Sequence, residues 1–178
     1  MDDETLVVEC VKGNAKAQRM LFEKFAPKMM AVCLRYSKDV EEAEDILQDG
    51  FIKMFNKLPD FKMEGSLEGW VRRIMVNTSL DAIRRNKKHL GDSKLEDVDY
   101  KISAQESTMD NLLAEDLMKL VQKLPDGYKV VFNLFAIEGY SHKEIADLLG
   151  VTENTSKSQY SRARAYLRAQ LEKLNSER

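Results

Sequence analysis

Helix breakers are scarce in this chain. Across 178 residues there are 8 glycines and 3 prolines, the two residue types that most readily end a helix. Nowhere do apolar and polar residues alternate between turn signals as they would in a half-buried strand. The expectation is an all-α protein. Cys10 and Cys33 are the 2 cysteines; both sit in apolar stretches without CxxC spacing, so they read as small core residues rather than ligands or a disulfide. His89 and His142 are the 2 histidines, and neither a glycine-rich phosphate loop nor a nucleophile–base set accompanies them. An enzyme therefore has little support, and no cofactor or metal is expected. No apolar run approaches the length needed to span a bilayer. The opening Met1-Asp2-Asp3-Glu4 is acidic where a secretory leader is basic, so a cytoplasmic location is expected.

What is present is helical periodicity, interrupted once. Phe22, Phe25, Met29, Met30, Val32 and Cys33 recur at helical spacing and predict one buried face. A second helix is predicted from about Lys38 or Asp39 to Leu58, with Ala43, Leu47, Phe51, Met54 and Leu58 on its apolar stripe and Pro59 ending it. A third starts at Ser66, a suitable cap, and runs through Trp70, Ile74 and Ile83 to about Asn86. Residues 90–108 then lose the pattern. From Gly91 to Asp116 there are eight acids against two bases, which reads as a flexible acidic linker. Order resumes at Met109, with one helix stopping at Pro125 and the next, through Val130, Leu134 and Ile137, ending at Gly139. Two small helical domains, 1–89 and 109–178, are thus expected on either side of the linker.

The second domain contains a helix-turn-helix signature. Ser141 and Glu144 have the spacing of a capping box. Ile145, Ala146, Leu148 and Leu149 form a short apolar face, and Ala146 is small where two helices cross. Gly150 suits a left-handed turn, Val151 is expected to plug the core, and Thr152 to cap the next helix. Between Thr152 and Arg178 there are six bases and three acids, so the net charge of −2 for the whole chain hides a basic helix. Thr152, Asn154, Thr155, Ser156, Lys157, Ser158, Gln159, Arg162 and Arg164 are the candidate DNA contacts, since the first turns of this helix enter a major groove. Tyr160, Ala163 and Leu167 read as its buried side.

The first domain carries a resemblance. The run Glu42-Ala43-Glu44-Asp45-Ile46-Leu47-Gln48-Asp49-Gly50-Phe51-Ile52-Lys53-Met54-Phe55 resembles the core-polymerase-binding signature of bacterial sigma factors. Leu67 to Asn77, then Asp81 and Arg84-Arg85, resembles their promoter-melting segment, and Leu124-Pro125, Gly139-Tyr140-Ser141, Glu144-Ile145-Ala146 and Ser161-Arg162-Ala163-Arg164 resemble their second domain. Order, size and two-domain layout are similar to the extracytoplasmic-function (ECF) sigma factors, the minimal members of that family. The resemblance implies Asp45, Gln48 and Asp49 as contacts to core RNA polymerase. It implies Trp70, Arg72, Arg73, Asn77, Arg84, Arg85 and Lys88 at the minus-ten element, and the helix from Thr152 at the minus-thirty-five element of promoter DNA. An anti-sigma factor that would hold the protein at the inner membrane, and a monomer when free, are further implications. Leu67 departs from a usual aromatic, and Ser156 and Gln159 from an apolar residue and an arginine.

Taken without the resemblance, the acids at 41, 42, 44, 45 and 49 fit a solvated ridge, and Trp70 fits a core as well as it fits a base-stacking site. A conventional regulator, binding operator DNA without polymerase, is the alternative. It requires tight binding to a palindromic duplex by the chain alone.

Overall fold

The computed structural model describes residues 1–89 and 114–177, with eight α-helices and no strand among them. The expected linker at 90–108 and the start of the second domain at Met109 lie outside the described residues. The chain divides into two compact units, Met1–His89 and Leu90–Arg178.

The first unit holds α1 (Asp3–Val11), α2 (Ala15–Tyr36), α3 (Val40–Lys57), a 3-10 turn at Leu58–Asp60, and α4 (Leu67–His89). Each helix begins where a short polar side chain can satisfy an orphan N–H. Asp2 Oδ1 accepts from Thr5 N–H at 2.8 Å, Asn14 Oδ1 from Lys16 N–H at 3.0 Å, Asp39 Oδ1 from Glu42 N–H at 2.8 Å, and Ser66 Oγ from Gly69 N–H at 3.3 Å. The core is made where α2, α3 and α4 pack together, with Leu21, Phe25 and Met29 from α2, Ala43 and Met54 from α3, and Val71 and Met75 from α4 at most 1% exposed. Burying each large apolar side chain contributes about 1.5–3 kcal/mol, which is why α2 continues through Pro27 despite the lost hydrogen bond. Both cysteines are buried and free, and burial pushes the Cys33 thiol up to about 12.

Two expectations for this unit need revision. Phe22 is not in the core; it is 43% exposed, and its ring rests against Phe51 at 4.7 Å. The third predicted helix also runs beyond Asn86, to His89.

The second unit holds α5 (Ala114–Gln122), α6 (Asp126–Phe132), a π turn at Asn133–Ile137, α7 (His142–Leu149) and α8 (Glu153–Ser176). Helix α5 stops at Gln122, before the Pro125 expected to end it. The predicted helix through Ile137 is instead α6 followed by a widened turn. There Glu138 N–H donates to Asn133 O and Tyr140 N–H to Leu134 O, both at 2.9 Å, so the bonds skip five and six residues rather than four. Leu120, Val121, Leu124, Tyr128 and Phe132 pack on Ala163, Leu167 and Leu171 of α8.

The turn between α7 and α8 follows the sequence closely. Ser141 Oγ accepts from Glu144 N–H at 3.1 Å while Glu144 Oε2 accepts from Ser141 N–H at 2.7 Å, completing the capping box. Those bonds from Ser141 hold the Glu144 carboxyl below its usual range. Gly150 adopts φ 67°, ψ 34°, the left-handed conformation. Thr152 Oγ1 accepts from Thr155 N–H at 3.0 Å and caps α8. Val151 does not plug the core: it is 39% exposed, and Ile145, at 0%, is the residue buried there. Its backbone is spent on the turn, with Val151 N–H donating to Ala146 O at 3.1 Å.

Candidate nucleic-acid and protein interfaces

Helix α3 is sharply two-sided. Ala43, Ile46, Gly50, Phe51 and Met54 are buried, which leaves Glu41, Glu44, Asp45, Gln48 and Ile52 exposed on the opposite side. Asp45 and Gln48, two of the implied polymerase contacts, therefore face solvent. Asp49, the third, is half-buried, and its Oδ2 lies 3.5 Å from an Arg85 guanidinium nitrogen. A groove between α3 and the end of α4 is lined by Glu42, Asp45, Asp49, Arg85 and Asn86, and Asn86 Nδ2 donates to Glu42 Oε1 at 2.6 Å. Asp49 and Arg85, which the sequence assigns to separate partners, are paired with each other. Such exposed pairs are worth at most about 1 kcal/mol, so a stronger partner can take either.

The buried side of α4 includes Leu67, Val71, Met75, Thr78, Ser79 and Ala82, with Ile74, Val76, Leu80 and Ile83 buried as well. The two hydroxyls are satisfied internally, Thr78 Oγ1 donating to Ile74 O at 2.8 Å and Ser79 Oγ to Met75 O at 2.9 Å. Steps of three and four then place Trp70, Arg73, Asn77, Asp81 and Arg84 along a single outer stripe. Asn77 is exposed although Val76 and Thr78 beside it are buried, so its amide is presented outward. Trp70 is neither core nor free: it is half-buried and its ring stands 4.9 Å from Phe61, tilted by 39°. Phe61 opens the exposed loop 62–66, in which Met63 takes a left-handed φ of 57°, rare for a non-glycine residue. That loop carries no periodic signal in the sequence. Arg84 bonds Asp81 at 3.3 Å, and Asp81 also meets Lys53 of α3 at 3.3 Å. Arg72 is half-buried, off the stripe. The side chain of Lys88 lies outside the described residues.

Along α8, Thr152, Asn154, Lys157 and Ser158 are exposed, Thr155, Gln159 and Arg162 half-buried, and Arg164 exposed. Lys157 pairs with Glu153 at 3.4 Å, and the Arg164 guanidinium lies 5.8 Å from the Tyr160 ring centroid. The Gln159 side-chain oxygen is buried with no hydrogen-bond partner among the described residues. Ser156 requires correction as a candidate DNA contact. It is 0% exposed and its Oγ lies 2.8 Å from His142 Nδ1. It has no surface left to offer a base or a phosphate. The signal was in the register: Ser156, Tyr160, Ala163 and Leu167 are spaced by four, three and four, which puts the serine on the buried side.

These features define a class. A helix-turn-helix unit and a separate helical unit that carries both a basic, aromatic stripe and an acidic ridge fit a DNA-binding transcription initiation factor. Residues 21–89 match the Sigma-70 region 2 family and residues 114–167 the Sigma-70, region 4 family. The ECF RNA polymerase sigma factor SigM of Mycobacterium tuberculosis is 31% identical over 173 residues, covering 97% of this chain and 86% of that protein. The ECF RNA polymerase sigma factor SigW of Bacillus subtilis is 29% identical over 174 residues, covering 92% and 93%. Among solved structures, the sigma factor RpoE of Bartonella quintana, determined with the anti-sigma factor NepR, shares the fold with a TM-score of 0.55 at 24% identity, covering 86% of this chain and 96% of that one. The chain belongs to the ECF RNA polymerase sigma factors.

Proposed function

We propose that this sigma factor grips core RNA polymerase and promoter DNA through three separate faces. Asp45 and Gln48, with Asp49 beside them, form the polymerase-docking ridge of α3. The outer stripe of α4, with Trp70, Arg73, Asn77 and Arg84, together with Arg72, Arg85 and Lys88, engages the minus-ten element. Bases on that stripe hold phosphates, while the Trp70 ring and the Asn77 amide suit an unstacked base. The first turns of α8, through Thr152, Asn154, Thr155, Lys157, Ser158, Gln159, Arg162 and Arg164, read the minus-thirty-five major groove. The observation that carries this reading is the alignment of half-buried Trp70 with exposed Arg73, Asn77 and Arg84 on one outer stripe, in a unit that also carries the exposed acidic side of α3. An operator-binding regulator needs neither.

The organisation proposed is 1–89 for polymerase and the minus-ten element, 90–108 as tether, and 109–178 for the minus-thirty-five element. The protein acts in the cytoplasm and is held inactive by an anti-sigma factor, as RpoE of Bartonella quintana is found with NepR. Among the described residues no helix is long and apolar enough to cross a membrane. Run-off transcription with purified core polymerase on genomic fragments tests the reading. Promoter-specific transcripts that require both proteins are expected; tight binding to a palindromic duplex by the chain alone, with no core association, would establish the regulator instead.

A further inference from the structure

His142 is the first residue of α7, at the end of that helix farthest from the Gly150 turn. Its ring stacks on Phe135 of the π turn, centroids 4.2 Å apart and planes 11° from parallel. It also stands 5.9 Å from the Tyr160 ring of α8, and Phe135 touches Tyr160 at 4.6 Å. Its Nδ1 is hydrogen-bonded to Ser156 Oγ at 2.8 Å, with Ser156 fully buried. One imidazole thus meets the π turn, α7 and α8 at a common seam.

We infer that His142 is a positioning residue for promoter reading: with Ser156 it forms a polar latch that fixes the angle at which α8 leaves α7. The inference rests on the reading of α8 as the minus-thirty-five helix. Gly150 alone is a flexible vertex. A helix of eight residues is about 12 Å long, so a tie at its far end controls the crossing angle with more leverage than any contact near the turn. The Ser156 hydroxyl is fully enclosed, so no water replaces the bond when it is lost, and a buried group without a partner is costly. Asn154, Thr155, Lys157 and Ser158 flank Ser156 and are more exposed, so they move as the serine moves. Base readout tolerates displacements of only about 0.5 Å. The latch therefore acts on discrimination between sequences more than on overall stability.

The test uses the full chain with core polymerase on a promoter identified by run-off, and on the same promoter with its minus-thirty-five element substituted. The readout is the ratio of transcript from the two templates. S156A, which keeps the buried volume but removes the hydroxyl, and H142F, which keeps the ring stack but removes the nitrogen, should each lower that ratio about 5- to 10-fold, the scale of one lost hydrogen bond. The double variant should be no worse than either single. H142N, whose amide occupies the place of Nδ1, should restore the ratio to within about twofold of the parent. Core affinity should be unchanged in all four. Parental discrimination in S156A, or effects of H142F and S156A that add independently, would overturn the latch. If H142F unfolds the second unit, S156A and H142N decide the question. A parent chain that supports no transcription with core defeats the sigma reading itself and is told apart on that ground.

Discussion

Gly50 is the most closely packed glycine of the first unit among the described residues, and it supports a prediction whose sign is informative. It lies on α3 where that helix meets α4, and a Cβ built on it would stand 2.3 Å from Met75 Sδ and 3.0 Å from Met75 Cε. Heavy atoms in contact normally sit about 3.5–4.0 Å apart, so the thioether must shift by more than about 1 Å. Met75 is 0% exposed, with no solvent to move into. Overpacking of this kind costs about 1–3 kcal/mol, against which replacing a mid-helix glycine by alanine contributes about 1 kcal/mol. G50A is therefore expected to destabilise the first unit by about 1 kcal/mol, which lowers its Tm by about 4–8 °C. M75A alone should cost about 2–5 kcal/mol through the cavity it leaves. The pair should cost about 2 kcal/mol less than the sum, since removing Met75 removes the clash and leaves the gain from replacing a mid-helix glycine. Thermal melting of the two singles and the double measures all three terms. A rise in stability for G50A, as expected of an exposed helical glycine, would refute the close approach of α3 and α4.

Three further predictions follow from named contacts. D45R should weaken binding to core polymerase at least about tenfold, because a reversed charge on a docking face costs several kcal/mol, while the melting curve stays unchanged; equal core affinity in a pull-down or anisotropy titration removes Asp45 from the interface. D49R tests a different point, since it also breaks the pair with Arg85, and it should perturb DNA opening as well as core binding. For Glu144, the bonds from Ser141 lower its folded pKa relative to 4.5, so its contribution is complete above that value and disappears as pH falls through the folded one. Acid unfolding of the second unit followed by circular dichroism should show this limb, and E144Q, which keeps the acceptor without the titration, should flatten it.

Helix positions and caps were legible because each depends on nearest neighbours in sequence. Ser66, Ser141 and Thr152 cap where their spacing to the next apolar stripe demands, α3 starts at the expected place, and Gly150 takes the left-handed turn. Less legible were features set by packing across elements. Ser156 sits in a polar run that resembles a DNA-facing surface, and only its register with Tyr160 and Ala163 reveals that it points inward. Phe22 shares the period of the α2 core but falls at its edge. The pairing of Asp49 with Arg85 joins positions far apart in sequence, which no local pattern encodes. The widened turn at Asn133–Ile137 has the same apolar composition as a regular helix, and periodicity alone does not separate the two.

Footprinting on a promoter found by run-off tests the central claim most directly. With core polymerase and this chain together, both promoter elements should be protected and thymines at the minus-ten element should become reactive to permanganate, with that reactivity lost in a variant carrying W70A and N77A. The chain alone should protect neither element. Full protection of a duplex site by the chain without polymerase, and no opening with it, would contradict the account.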